Sequence, residues 1–314
     1  MARIPRTDLD VLPLVLGGNT FGWTSDEQAS FAVLDAFVAA GGTAIDTADG
    51  YSAWVPGNSG GESETILGAW MEARGNRDQV VLATKVASKP DRQGLSRENV
   101  LAALDESLQR LRTDHVDLYY FHFDDENVAI EDQVATAREV LDSGKARHLA
   151  LSNYSPERLR AFLETAREQG VTLPVAHQPQ YNLLHRAEFE QEFAPIAEEF
   201  ELATFPYYAL ASGVLTGKYR TAADAEGAPR GGAATELLGR PGTPAVLEAL
   251  HAVAQAHGVE ATSVSLAWLR AKGVTAPIAS ASRPEQVAAL IAGATLELDA
   301  AEVTALDEAS QPFA

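Results

Sequence analysis

HVDLYYFH, residues 115–122, is a nearly continuous apolar run that stops on a histidine. Such a run, without two-residue alternation, is the pattern of a strand buried on both faces. Runs of the same kind recur on either side: LPLVLGG (12–18), TAID (43–46), QVVLATK (79–85), ARHLALSN (146–153), LPVAHQ (173–178), ELATFPY (201–207) and VTAPIAS (274–280). Between them lie segments of helical period: ENVLAALDESLQRLR (98–112), EDQVATAREVLDSG (131–144), PERLRAFLETAREQG (156–170), PAVLEALHAVAQAHG (244–258) and PEQVAALIAG (284–293). Ser96 and the Ser155-Pro156 pair stand where helices start, and Gly144 and Gly170 where a left-handed cap belongs.

Eight strands alternating with helices predict an α/β fold with a parallel sheet covered on both faces. At 314 residues an eightfold (β/α) TIM barrel in a single domain, 1–314, fits better than an open doubly wound sheet. The open sheet's phosphate fingerprint, GxGxxG, is absent, and GGNTFG after the first strand has the wrong spacing. One stretch breaks the rhythm. TAADAEGAPRGGAATELLGRPG (221–242), after SGVLTGKY, is small, polar and glycine-rich. It reads as part of a long mobile loop, about 213–242, of the kind that closes over a ligand.

Composition removes several classes of function. There is no cysteine, so disulfides, thiolate nucleophiles and Cys-ligated zinc are excluded. The charge balance, 24 − 44 = −20, repels phosphate backbones and anionic lipid, so neither nucleic acid nor membrane is expected as a partner. No run of about 18 apolar residues exists, and no cleavable leader is legible at the N-terminus. A cytoplasmic enzyme is the expectation. No HxH or HExxH occurs among the seven histidines, so no metal site is expected.

The active face of such a barrel is the carboxyl end of its strands. Reading that edge gives Asp46, Lys85, His122, Asn153, Gln178, Tyr207 and Ser280. Singly, each has an ordinary explanation as a turn, cap or solvated residue. Their convergence on one rim is what suggests chemistry. GGTAIDTADGYSAW (41–54) adds Tyr51, five residues past Asp46. A phenol is a poor acid or base near neutrality unless an ammonium favours its phenolate, and Asp46 beside Lys85 can hold such an ammonium in place. His122 can donate a hydrogen bond to a carbonyl oxygen. Proton transfer to a carbonyl oxygen requires a hydride, and the chain has no redox group of its own, so a nicotinamide cofactor is implied.

With these residues in register, nearly the whole chain resembles the aldo-keto reductases. The segments that carry the likeness are GGTAIDTADGYS, GGESETILGAW, VVLATKV, VDLYYFHFDD, GKARHLALSN, HQPQYNLLHR, YYALASGVLTGKY and APIASASRPEQV. The resemblance is to the branch that contains potassium-channel β-subunits. It implies NADPH-dependent reduction of an aldehyde, a ketone or a sugar-derived carbonyl, with NADH a weaker alternative. Tyr51 would be the general acid, Lys85 and Asp46 its tuning pair, and His122 the orienting donor. Ser152, Asn153 and Gln178 would hold the carboxamide, and Tyr207 would stack on the nicotinamide ring. Leu210, Gly213, Leu215 and Lys218 would line the pyrophosphate. Ser280, Ser282, Arg283 and Gln286 would surround the 2′-phosphate and adenine, with Asn19 and Thr20 also on the cofactor. Trp23, Trp54 and Phe123 are the candidate substrate contacts.

The chain departs from the family pattern at three places. Ala279 and Ser280 replace a frequent Pro-Gly. Ala289 and Leu290 stand where a Glu-Asn pair would bind adenine. Tyr208-Ala209 replaces a frequent Ser-Pro. Arg230, in the glycine-rich stretch, is read as a solvated charge, with a phosphate clamp as the alternative. Two other functions remain open at this stage: a Schiff-base aldolase through Lys85, and a slow or non-catalytic nicotinamide-binding regulatory subunit.

Overall fold

The computed structural model describes residues 1–314 and places the eight runs as eight parallel strands of one sheet. They are β1 (Val15–Gly17), β2 (Ala44–Asp46), β3 (Val81–Val86), β4 (Val116–Phe121), β5 (Ala146–Ser152), β6 (Ala176–Gln178), β7 (Ala203–Thr204) and β8 (Ile278–Ala279). Spatial order follows chain order from β1 to β7, and β8 pairs with β1, Ile278 opposite Val15. Three backbone bonds close the remaining seam. The Thr275 and Ala276 N–H groups donate to the Thr204 carbonyl at 3.0 and 3.3 Å, and the Ile278 N–H to the Pro206 carbonyl at 2.9 Å. The sheet is a (β/α)8 barrel.

Several strands are shorter than their apolar runs, and proline is the reason. Pro13, Pro174, Pro206 and Pro277 lie within or beside those runs and have no N–H to give a ladder. The helices are α1 (Glu27–Ala39), α2 (Glu62–Arg74), α3 (Arg97–Leu111), α4 (Ile130–Asp142), α5 (Pro156–Glu168), α6 (Ala194–Glu199), α7 (Gly231–Leu238), α8 (Thr243–His257), α9 (Ala261–Ala271), α10 (Val287–Thr295) and α11 (Ala300–Ala309). Ser96 and Ser155 cap α3 and α5 by accepting from the Asn99 and Arg158 amides. The stretch 221–242, expected as irregular loop, contains a 3₁₀ turn (Ala222–Ala225) and the eight-residue α7. Ala233, Ala234, Glu236, Leu237 and Leu238 are good helix formers that outweigh the two leading glycines, and Ala225 and Ala234 are buried against the core.

Two apolar cores result. The larger lies between strands and helices; the smaller fills the barrel, where Ala44, Ala83, Ala150, Ala176 and Ala203 surround Leu118, Tyr120 and Phe205. A short hairpin, Ala2–Arg3 against Asp10–Val11, closes the amino end, with Ile4, Leu9 and Val11 packed into the interior cluster. Side chains alternate across a strand. The residue two past each interior alanine therefore points inward one layer higher: Asp46 above Ala44, Lys85 above Ala83 and Gln178 above Ala176.

Helix α2 lies so close to α3 that a Cβ at Gly68 would fall 2.2 Å from the Arg110 carbonyl oxygen and 2.7 Å from the Leu111 carbonyl carbon. In an exposed helix Gly→Ala gains roughly 0.5–1 kcal/mol. Here the clash is with backbone that cannot rotate away, and overpacking of this kind costs about 1–3 kcal/mol. Gly68→Ala is therefore expected to lower the urea unfolding midpoint; a raised midpoint would show that α2 and α3 separate freely.

Candidate active site

The inward layer above the alanines holds a buried ion pair. Lys85 Nζ donates to Asp46 Oδ2 at 2.5 Å, to the Thr47 carbonyl at 2.7 Å and to the Tyr51 hydroxyl at 2.7 Å. Lys85 and Asp46 are 0% and 2% exposed. The other carboxylate oxygen accepts from Gln178 Nε2 at 3.1 Å, and the Tyr51 hydroxyl reaches Oδ2 at 3.2 Å. Tyr51 is brought back over the pair by a tight loop: the Asp49 amide donates to the Lys85 carbonyl, and the Ser52 hydroxyl to the Phe21 carbonyl at 2.7 Å. Ser52 takes a left-handed φ of 70° to make that turn.

Burial, reinforced by Asp46, pushes the Tyr51 phenol well above its ordinary range. Burial also pulls Lys85 downward, against the opposing pull of Asp46. The sequence suggested an ammonium that lowers the phenol's pKa. In the structure the larger effect is desolvation, and the Tyr51 phenol is held neutral.

His122 follows β4, its ring centroid 6.0 Å from that of Tyr51. Burial and the Lys85 charge hold the imidazole well below its usual pKa, so it is neutral. Asn153, left-handed at φ 53°, links the neighbouring strand ends: its Nδ2 donates to the His122 carbonyl at 2.8 Å, and its Oδ1 accepts from the Tyr207 hydroxyl at 2.8 Å. Ser152, fully buried, donates to the Gln178 carbonyl at 2.9 Å.

A cleft of about 240 Å³ runs from Asp46 and Tyr51 past Gln178 and Tyr207 to Ser282 and Gln286. Asn19, Thr20, Leu210, Gly213, Lys218 and Ser280 line it, as does Trp23. Gly213 has φ 90°, a left-handed conformation that favours glycine at this turn. Ser280 Oγ bonds Asn19 Oδ1 at 2.7 Å, and Gln286 Oε1 accepts the Ser282 and Arg283 amides.

The structure departs from the expected site at Leu215 and Arg230, and leaves Arg283, Trp54 and Phe123 beyond the cleft lining. Leu215 is fully buried in the main core and does not line the cleft, because the turn at Ser212 and Gly213 directs it inward. Arg283 is exposed and outside the lining, whereas its neighbours Ser282 and Gln286 are within it. Arg230 is not a solvated surface charge: it lines the cleft, stacks 5.3 Å from the Trp23 ring, and is held below its usual pKa by burial. Trp54 and Phe123 lie outside the lining at 51% and 45% exposure, Trp54 edge-on to Trp23 at 5.5 Å and Phe123 against His122 at 4.6 Å. Two further contacts shape the site, the first without a sequence signal and the second at the Tyr208 departure from the family pattern. The Ser88 hydroxyl meets His122 Nδ1 at 3.0 Å, and Tyr208, 49% exposed at φ 54°, leans on Tyr207 in the cleft wall.

The chain is similar to known proteins along this same frame. A model of the aldo/keto reductase family matches residues 13–311. The chain is 30% identical to the protein Tas of Escherichia coli K12, the match covering 94% of this chain and 93% of Tas. It is 30% identical to norsolorinic acid reductase B of Aspergillus parasiticus, covering 97% and 82%. Identity to the aldo-keto reductase YhdN of Bacillus subtilis is 36%, over 65% of this chain and 58% of YhdN.

Next to Lys85, whose carbonyl its amide bonds, Asp49 is 0% exposed and neither carboxylate oxygen has a hydrogen-bond partner. Burial, with Glu64 adding repulsion, raises its pKa to about 8, although Arg110 and Lys89 oppose this. The folded state keeps a proton that the unfolded chain releases near pH 4, so stability falls as pH rises from about 4 and levels off above about 8. Asp49→Asn removes this dependence. The variant is expected to melt higher than the parent at pH 8 and to lose that advantage toward pH 4. Parallel melting profiles for the two proteins across this range would show that Asp49 carries no raised pKa.

Proposed function

Because the chain belongs to the aldo/keto reductase family, we propose that it reduces an aldehyde or ketone to the alcohol with NADPH as donor, and that Tyr51 supplies the proton. The observation that carries this reading is the Tyr51 hydroxyl held 2.7 Å from Lys85 Nζ at the floor of an open cleft. A nicotinamide, when bound, supplies the hydride.

The cleft suits such a cofactor. In a chain of net charge −20, its outer part presents two cations, Lys218 and Arg230. The only carboxylate in its lining, Asp46, is already paired with Lys85. That is a site for a diphosphate, with Gly213 letting backbone approach. Gln178, Asn153 and Ser152 offer amide and hydroxyl groups for a carboxamide, and Tyr207 a ring face beside them. Ser282 and Gln286 line the far end of the cleft, with Arg283 beyond, and would meet the 2′-phosphate and adenine.

The roles of the residues follow from charge. An alkoxide developing on the substrate is more basic than any phenol, so even a phenol with a raised pKa yields its proton to it. The phenolate left behind sits 2.7 Å from the Lys85 ammonium, which Asp46 holds in place. Neutral His122 donates to the carbonyl oxygen and fixes its direction. Trp23, Trp54 and Phe123 form the apolar mouth through which the substrate passes.

The Schiff-base alternative is disfavoured. Lys85 is fully buried, and its three bonds to Asp46, Thr47 and Tyr51 leave no lone pair free for a carbonyl carbon. A carbonyl panel followed by loss of reduced-nicotinamide absorbance, with both NADPH and NADH, tests the reading. No consumption with any carbonyl would turn the assignment toward a regulatory binding subunit.

Tyr51→Phe is expected to lower kcat roughly 10²–10⁴-fold, the range for losing a general acid, while NADPH affinity stays near that of the parent. Lys85→Met should lose a comparable amount. Near-normal turnover in Tyr51→Phe would mean that the proton comes from elsewhere. For the cofactor, Arg283→Ala should raise the NADPH Kd and leave that of NADH nearly unchanged, since a guanidinium reads the 2′-phosphate alone. Equal weakening of both, measured by fluorescence titration, would remove Arg283 from phosphate recognition.

A further inference from the structure

The imidazole of His122 has two nitrogens, and only one arrangement of its proton suits a donor to a carbonyl oxygen. A neutral ring carries a single N–H, and the nitrogen that bears it is set by the bond at the other. Nδ1 of His122 lies 3.0 Å from the Ser88 hydroxyl. That hydroxyl makes no other hydrogen bond in the protein. If it donates to Nδ1, the ring proton stands on Nε2. If it accepts from Nδ1, Nε2 has no proton to give and the hydroxyl's own proton is left without a partner.

The placement of Ser88 is costly and specific. Ala87, just before it, has φ 98°, a left-handed conformation that disfavours a residue with a Cβ. The short hairpin Ser88–Lys89 against Arg92–Gln93 holds this turn, and the Gly94 amide donates to the Ala87 carbonyl at 3.2 Å. On the other side, Gly50 of the loop that carries Tyr51 makes room. A Cβ at Gly50 would fall 2.6 Å from Ser88 Oγ and 3.0 Å from its carbonyl. Strain on one side and the missing side chain on the other bring one hydroxyl to one ring nitrogen.

We propose that Ser88 is a positioning residue: by donating its hydroxyl proton to Nδ1 it locks His122 as the Nε2–H tautomer, the form that can donate to the substrate carbonyl. The inference rests on the reading of His122 as that donor. Ser88 itself does not touch the reacting atoms.

The full-length protein labelled with ¹⁵N-histidine reports the tautomer directly through two-bond ¹H–¹⁵N correlations. The His122 signals are identified by their loss in His122→Asn. The parent is expected to show Nε2–H, Ser88→Ala a mixture of tautomers, and Ser88→Thr, which keeps a hydroxyl, the parent pattern. In carbonyl reduction Ser88→Ala should lose roughly 10–100-fold in kcat/KM, the scale on which partners that orient a histidine act, with Ser88→Thr restoring most of it. NADPH affinity should be unchanged in both. An Nδ1–H tautomer in the parent overturns the proposal, and so does a Ser88→Ala protein with unaltered tautomer and kcat/KM. The spectrum needs no turnover, so a parent inactive on every carbonyl would defeat the reductase reading while the tautomer still decides the assignment of Ser88.

Discussion

The Lys85–Asp46 ion pair is the constraint around which the carboxyl end of the barrel is arranged. Withdrawing each ion from water costs several kcal/mol, and mutual attraction offsets this only when the remaining hydrogen-bonding capacity is met. It is met here by groups from separate elements: the Thr47 carbonyl and Tyr51 hydroxyl after β2, and the Gln178 amide at the end of β6. Loss of one partner would leave an uncompensated buried charge, worth about 3–5 kcal/mol in comparable sites. The pair therefore ties three strand ends and one loop to a single height. That height is the floor of the cleft.

Strain is distributed to the same end of the molecule. Non-glycine residues with left-handed φ include Ser52, Ala87, Asn153, Tyr208, Ala211 and Ser212, and each of these follows a barrel strand. Each costs of order 1–3 kcal/mol and persists only where its surroundings over-determine it. Ser52 is held by Phe21, and Asn153 by His122 and Tyr207. The alanine-filled interior and the large outer core below supply rigidity that these loops do not have themselves. A stiff lower barrel carries a strained rim on which Tyr51, His122 and Tyr207 are presented.

Charge follows the same division. The chain is strongly acidic, yet the outer cleft is lined by Lys218 and Arg230 with no free carboxylate. Against the net negative charge of the chain, these two cations make the outer cleft locally favourable to an anion. Arg230 is the clearer case, since burial against Trp23 leaves its charge poorly solvated. Nothing in GAPRGG distinguishes it from a surface arginine, because its burial depends on Trp23, more than two hundred residues earlier.

The barrel and the gathering of Asp46, Tyr51, Lys85 and His122 at the carboxyl ends of its strands were legible in the sequence. They follow from local properties: apolar runs of strand length, helical period between them, and a polar residue where each run stops. Alternation along a strand then places Asp46, Lys85 and Gln178 on the inward face without knowledge of any contact. Where proline interrupts a run the strand is cut short, and that too is local. Only the tertiary structure decided that burial outweighs Lys85 in setting the Tyr51 phenol, that Leu215 belongs to the core, and that α7 forms within a glycine-rich stretch. It alone joined Ser88 to His122 and left Asp49 without a partner. Desolvation and hydrogen-bond pairing depend on which distant atoms close around a group, and no window of sequence contains them.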